Sequence, residues 1–550
     1  MTRSVTIVNL SKHNHPTQNL HRAPPHRAKT DRRRKSASLP KKYSFFVFGT
    51  QNYWQVFLFL LFLWESNEKQ SKIRNMNRKE FLKRLGMLTV GASLIGVDVN
   101  AMTAEAEAGA PAPAAGKPNR THPDLDFPVR PLKAETQRPI TAIIIGAGSR
   151  GTTYGKYASQ FPDTMKIVGV ADTNNFRKNR TRKAHNIPEE NCFGDFHDVF
   201  KREKFADAVV IATPDNLHFE PCMKALEMGY DVLLEKPAAQ TEKECKAILA
   251  QAKKYNRIVA ICHVLRYAPY FIAMRQAVQS GMIGDLVSIQ HMEPIQYAHM
   301  AHSYVRGKWR DSNKTTPIIL AKSCHDLDII RWIVDKPCLQ ISAEGTLMHF
   351  RAENAPKDAP KRCTDGCPHE ATCPYSAIDI YVRRKRHLGV FDLPDRKDEE
   401  AIMEKIRTTE YGRCVYHCDN NQPDHYVTTM LFEGGVTASF TMDAFTPWGG
   451  RRTRIMGTTG FIEGDGKQFT LYEFRTSKKK VWHKDVKEMG EYKHAGHGGG
   501  DHALARDFVE AVAAQDASKL SSTIDASIES HVIGFKAEKS RLSMKKVKVD

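Results

Sequence analysis

The chain of 550 residues has no unbroken apolar run of the roughly 20 residues that a membrane-spanning helix needs. Its aromatic-rich stretch from Tyr43 to Trp64 is uninterrupted only over Val56–Trp64. No stable membrane domain is therefore expected in the mature chain. Acidic residues are scarce at the N-terminus: residues 1–100 hold 18 Lys/Arg against 5 Asp/Glu, which is +13 of the net +20. The remaining +7 is spread over 450 residues, too thin for the concentrated basic face that nucleic-acid binding requires. Standard cysteine spacing is also missing. Five of eleven cysteines cluster, Cys363, Cys367 and Cys373 in "CTDGCPHEATC" and Cys414 and Cys418 in "CVYHC". Those intervals match neither a zinc ribbon nor a ferredoxin. Disulfides would suit an exported chain and a structural metal a cytosolic one. Both readings stay open beside free thiols. The cluster lies in what reads as an insertion, about 350–420, and is assigned a structural role.

What is present describes a globular protein of two or three domains, with 41% hydrophobic and 26% charged residues. Residues 1–75 read as a disordered or mis-assigned N-terminal extension, polar and basic over 1–42. A second start-like pattern opens at Met76, "MNRKEFLKRLGMLTVGASLIG". Its basic region (Arg78, Lys79, Lys83, Arg84), apolar region (Leu85–Val97) and small residues Ala104, Ala106 and Ala108 have the layout of an export signal. The segment resembles the twin-arginine motif, with Lys79 where the second arginine belongs. Segment 76–108 thus predicts export to the periplasm; otherwise the protein is cytoplasmic. Residues 109–138, rich in Ala and Pro, read as a linker.

From residue 139 to 262, strand and helix patterns alternate, which predicts a doubly wound parallel sheet. Thr141–Ile145 is followed at once by "GAGSRG". Gly146, Gly148 and Gly151 fulfil G-x-G-x-x-G after a strand and opening a helix, the arrangement that sets a pyrophosphate on a helix N-terminus. The second apolar run ends in Asp172, placed to grip the ribose hydroxyls of NAD. Arg177 and Arg180 lie near enough to tolerate a 2′-phosphate, so the cofactor is NAD or NADP, with NAD favoured. Two polar clusters fall at later strand ends, "ATPDNLH" (212–218) and "EKP" (235–237).

Together with "CHDLDIIRWI", these motifs make roughly residues 139–540 resemble the glucose–fructose oxidoreductase / inositol dehydrogenase / MocA family. The resemblance implies an α/β protein: an N-terminal Rossmann domain, then a C-terminal α/β domain (263–545) with an open, largely antiparallel sheet that often mediates homo-oligomerisation. It implies a carbohydrate substrate and NAD(P). Gly146, Gly148, Ser149, Arg150, Gly151, Asp172, Thr213, Asn216, His218, Glu235 and Lys236 become the cofactor-binding candidates. It places Glu235 and Lys236 beside nicotinamide and substrate, where an ammonium can stabilise charge on oxygen.

The segment "ILAKSCHDLD" (319–328) carries ionisable groups within an apolar run, where a charge is costly to desolvate. Many relatives have D-x-x-x-H here. His325 matches the histidine, Ala321 stands at the aspartate position, and Lys322 stands next to it. On one helix, Lys322, His325 and Asp326 would share a face, opposite Leu320, Cys324 and Leu327. His325 is the candidate base and Lys322 its helper, through orientation or charge repulsion. "HVLRYAPY" (263–270) and "YAHMAHSYVRGKWR" (297–310) supply Arg266, Tyr267, His302 and Tyr304 as substrate contacts. The glycine-rich "HAGHGGGDHALARDF" (494–508) reads as a mobile loop that could close the site. Three functions fit: a sugar or polyol oxidoreductase, a glycosidase or lyase using a transient redox cycle, and a nucleotide-binding sensor without turnover.

Overall fold

The computed structural model describes residues 125–483 and 490–549. The expected extension, export signal and most of the linker lie outside the described residues. The linker's end, however, is built into the protein. Leu125 and Leu132 are buried, and Arg130 reaches Asp507 and Glu510. An extended Pro-containing segment still buries whatever apolar side chains it carries: Leu132 joins the core of the first sheet and Leu125 that of the second.

Short β-branched strands build that sheet: β1 (Ile140–Ile145), β2 (Met165–Ala171), β3 (Cys192–Phe193), β4 (Ala208–Ile211), β5 (Asp231–Leu234) and β6 (Val259–Ile261). All pairs are parallel, in the order β3-β2-β1-β4-β5-β6. Crossover helices include α1 (Ser149–Gln160), α2 (Asn175–His185), α3 (Phe219–Glu227) and α4 (Glu242–Lys254). Strand order reverses between β1 and β4, so a crevice opens at their carboxyl ends. Gly146, Asp172, Thr213, Glu235 and His263 all stand at or just beyond those ends.

The second sheet has nine strands and is antiparallel except for one pair. β7 (Leu286–Pro294) lies parallel to β10 (Thr437–Asp443). Around them stand β8 (Cys338–Glu344), β9 (His425–Phe432), β11 (Arg452–Gly457), β12 (Gly460–Gly464), β13 (Gln468–Glu473), β14 (Lys479–His483) and β15 (Val547–Lys548). One face is covered by α5 (Cys324–Val334) and α7 (Ile524–Ser543). The sheet boundary is not a chain boundary. α6 (Gly500–Ala514) returns to the first sheet and buries Leu504, Phe508 and Val509 among its residues. Among the described residues no helix is long and apolar enough to cross a membrane.

Candidate active site

The glycine loop behaves as its spacing predicts. Gly146 has φ +93°, and a side-chain carbon there would stand 2.6 Å from the Ala212 backbone. A carbon at Gly151 would lie 2.2 Å from the Gly146 carbonyl oxygen, so only glycine lets α1 approach β1 this closely. At Gly148 the space is open, the nearest atom being Arg177 Nη1 at 3.8 Å. No side chain caps α1 and no acid occupies its first turn. That cradle fits a dinucleotide pyrophosphate. Asp172 is oriented by two backbone donors, Ala147 N and Asn174 N, each at 2.7 Å. A carboxylate oxygen accepts more than one hydrogen bond, so a ribose hydroxyl can still be received.

The other cofactor candidates divide. Ser149 and Asn216 are exposed at the rim. Thr213 donates to the Leu217 carbonyl at 2.8 Å. Arg150 turns inward: its Nε meets Glu235 at 2.6 Å, and its Nη atoms meet Asp501 at 2.8 and 3.1 Å. Burial would raise the Glu235 carboxyl, but Arg150 outweighs it and holds it below the usual range. His218 is buried with both ring nitrogens against backbone carbonyls, Pro237 O at 2.7 Å and Thr213 O at 2.9 Å. It braces the two loops from behind. Arg177 and Asn174 both reach Asp392 in the insertion, so that insertion docks on the nucleotide-binding edge.

The segment around His325 differs from a single helix. A short helix, Ile318–Ala321, ends; Lys322 and Ser323 form a turn; and α5 then begins at Cys324. Lys322 and His325 therefore do not share a helical face. Lys322 points to Glu293, with Nζ 3.1 Å from the carboxylate. Glu293 also contacts Arg451, whose Nε donates to Asp326 at 2.9 Å, and Asp326 meets His291 at 3.0 Å. Asp326 is fully buried, not presented to a cleft. Burial opposes its charge, yet Arg451 and His291 keep it ionised far below the usual range.

Lys236 Nζ donates to the carbonyl of Ala321 at 2.7 Å. At the position where relatives place aspartate, a backbone oxygen thus receives the lysine. His325 is 5% exposed and its Nδ1 has no hydrogen-bond partner among the described residues. Burial, then the charge of Lys236, pushes its pKa well below the ordinary histidine value. Its ring stands 6.2 Å from His263 and 6.0 Å from His497, in the glycine-rich segment. The ligand atoms of His263, Cys324 and His325 lie within 4.8 Å of one another, so these three could reach one cation. Burial raises the Cys324 thiol to about 12, which keeps it protonated.

Of the four substrate candidates, two are spent internally. Arg266 forms a buried two-pronged pair with Asp328 at 2.6 and 2.7 Å, and Tyr267 bonds Ser522 at 2.7 Å. His302 and Tyr304 are buried too, in the helical turns that "YAHMAHSYVRGKWR" builds. His302 bonds Tyr381 at 2.8 Å and stacks on His387 at 4.5 Å and Tyr411 at 5.0 Å. His299, in the same segment, is held well below the ordinary histidine value by burial, then by Lys322, His387, His302 and Lys236. Sequence reading did not assign Glu293, Arg451 or His387, because each meets the site only through folding of distant segments.

The parallel sheet, its glycine loop and Asp172 define a Rossmann nucleotide-binding fold. Residues 140–263 match the model of the Gfo/Idh/MocA family, described as "Oxidoreductase family, NAD-binding Rossmann fold". The match spans the first sheet and its crossover helices, and there the chain is similar to that family. It is 24% identical to the Bacillus subtilis protein YteT over 373 residues, 64% of this chain and 83% of that one. It is 26% identical to inositol 2-dehydrogenase 1 of Saccharopolyspora erythraea over 212 residues, covering 38% of this chain and just 58% of the relative. Among solved structures, a levoglucosan dehydrogenase in complex with NADH and levoglucosan superposes with TM-score 0.55 at 17% identity, covering 75% of this chain and all of that one. An Agrobacterium radiobacter oxidoreductase in complex with NAD+, L-tartaric acid and magnesium gives 0.53 at 14%, covering 74% and 98%. The fold is shared with both.

Proposed function

We propose that the protein is an NAD(P)-dependent dehydrogenase of a sugar, polyol or sugar derivative. The observation that carries this reading is that Lys236, just beyond a strand end of the sheet whose glycine loop fits a dinucleotide, bonds the Ala321 carbonyl and places its charge near His325. Gly146, Gly148, Gly151 and Asp172 would hold the nucleotide, and Glu235 with Lys236 would border its reactive end. Bound NAD(P) would supply the hydride acceptor for a carbinol carbon.

This chain's own residues handle the oxygen and the proton. Lys236 directs its ammonium at the substrate hydroxyl and stabilises negative charge growing there. His325 is unprotonated at neutral pH, so it can receive the hydroxyl proton. A depressed pKa makes it a weak base, and Lys236 compensates by making the hydroxyl more acidic. Lys322 pairs with Glu293 and acts at a remove, by fixing the turn before α5 and adding its charge to those that keep His299 neutral. NAD is favoured over NADP because Asp392 occupies Arg177, which leaves a 2′-phosphate one cation fewer. Catalysis with NAD(P) in a homo-oligomer is the expected working form.

Ala321 at the aspartate position favours a second reading, oxidation and return of hydride around cleavage of a glycoside or elimination. One experiment separates them. The protein is incubated with NAD, NADP and a panel of polyols, sugars and aryl glycosides, following nicotinamide absorbance and aglycone release together. Net NADH or NADPH supports the dehydrogenase. Aglycone without net reduced cofactor overturns it in favour of the redox-assisted cleavage, and nucleotide binding with no turnover of any compound favours the sensor.

A further inference from the structure

We infer that Cys363, Cys367, Cys373 and Cys414 hold an iron–sulfur cluster. Two segments of the insertion bring these four residues to the lining of one cavity, which Arg306 also lines. The cavity leaves about 20 Å³ to the centre of a water-sized sphere. That is more than a single water needs and far less than a pocket for an organic ligand. Its occupant is small and inorganic.

None of the four is in a disulfide. The other donors on the cavity wall are engaged elsewhere: His369 Nε2 lies 2.7 Å from the Lys357 carbonyl, and Glu370 accepts from Ser376 and pairs with Arg383. Four thiols remain. A single zinc ion bonds sulfur at about 2.3 Å, so a tetrahedral site draws its sulfurs to within roughly 4 Å of one another. Among the described residues, the one group of three or more such ligand atoms within 4.8 Å is the His263–Cys324–His325 set at the cleft. No three of the insertion's sulfurs therefore stand as close together as one zinc would draw them, which suits the wider ligand set of a polynuclear cluster.

Charge gives an independent reason. Arg306 is fully buried, and among the described residues no carboxylate pairs with it. Its Nε and Nη2 are used by the carbonyls of Arg413 and Tyr375, each at 2.6 Å, but Nη1 has no hydrogen-bond partner among the described residues. A buried guanidinium left this way is costly unless an anion neutralises it. The four-cysteine group supplies that anion once its thiols are ligands. Arg306 Nη2 already stands 3.6 Å from Cys363 Sγ, and Ala377 N stands 3.5 Å from the same sulfur. Such N–H donors steady a cluster's sulfurs. Cys418 is outside the set: it does not line the cavity, and its thiol lies 3.3 Å from the Cys414 carbonyl.

The cluster's role is mechanical. Arg306 closes the helical turn Ala301–Arg306 that carries His302 and Tyr304. A cluster beside it fastens the insertion, with Tyr381 and Tyr411, to that turn. The site is independent of the nucleotide reading, and its test uses no turnover.

The full chain is produced and purified without oxygen, and its iron, acid-labile sulfide and zinc are measured with its visible absorption. About four iron and four sulfide per chain, with a broad visible band, are expected. Both should fall at least several-fold in Cys363→Ser, Cys367→Ser, Cys373→Ser and Cys414→Ser, and persist in Cys418→Ser. Because a serine variant can fail to fold, wild-type protein is also alkylated before and after oxidative removal of iron and mapped by mass spectrometry. Protection of these four cysteines before removal, and its return on adding ferrous iron and sulfide, supports the cluster. One zinc per chain without sulfide, a disulfide among the four, or four thiols alkylated at once in the anaerobic protein overturns it.

Discussion

Lowering the pH from 7 to 5 should cost this protein stability through histidines that folding keeps neutral. His263 is driven to about 3 by burial, which outweighs the attraction of Asp328 3.6 Å away, because Arg266 already neutralises that carboxylate. His302 is also driven to about 3, by burial and then by His387 and Arg306. In the unfolded chain both titrate near 6.5. Between about pH 6.5 and 3 the unfolded state therefore binds the extra protons, and stability falls as pH falls. Each pH unit in that window costs about 1.4 kcal/mol per histidine, so the step from 7 to 5 removes about 2 kcal/mol for each and about 4 for the pair. Carboxylates held ionised in the fold add their loss mainly below about pH 4. The assay is urea unfolding at constant ionic strength at both pH values, comparing wild type with His263→Leu and His302→Leu. Each variant should lose about 2 kcal/mol of the pH dependence, whatever its stability at pH 7. A pH dependence unchanged in both variants would refute the reasoning.

Gly151→Ala should abolish NADH binding in fluorescence titration, since the new carbon meets the Gly146 carbonyl at 2.2 Å, and circular dichroism should still show a folded protein. Asp392→Asn frees Arg177 from a charge-assisted pair and should raise NADP affinity relative to NAD by about tenfold, measured by calorimetry. His325→Asn should lower turnover by about 10²- to 10⁴-fold with NAD affinity nearly unchanged, and Lys236→Met should lower turnover by about 10²- to 10³-fold, by steady-state kinetics and binding.

The nucleotide half of the site was legible because its signals are local. A strand, a glycine turn and a helix follow one another, and Gly151 answers a steric demand made by Gly146 close by in sequence, although Gly146 answers one made by Ala212 on the neighbouring strand's end. Lys236 and His325 were read from motifs; in the fold Lys236 bonds the Ala321 carbonyl, and its charge reaches His325. The helix break at Lys322–Ser323 was not legible, because the residues around it are as apolar as an unbroken helix requires. Lys322 therefore faces Glu293 instead of sharing a face with His325. Arg266 and Tyr267 looked like cleft residues because they are polar and follow the last Rossmann strand. Their partners, Asp328 and Ser522, lie far along the chain and bury them. The same distance hid the return of α6 to the first sheet, the bond between Arg150 and Asp501, and the approach of Cys414 to Cys363.

The central claim, hydride leaving a carbohydrate carbon for a nicotinamide, is tested most directly by isotope. A substrate found in the panel is deuterated at its carbinol carbon and turned over with NAD, and the recovered reduced cofactor is weighed by mass spectrometry. The account predicts one deuterium in the nicotinamide ring and slower turnover of the labelled compound. Turnover that leaves the label on the carbohydrate or passes it to water would contradict it.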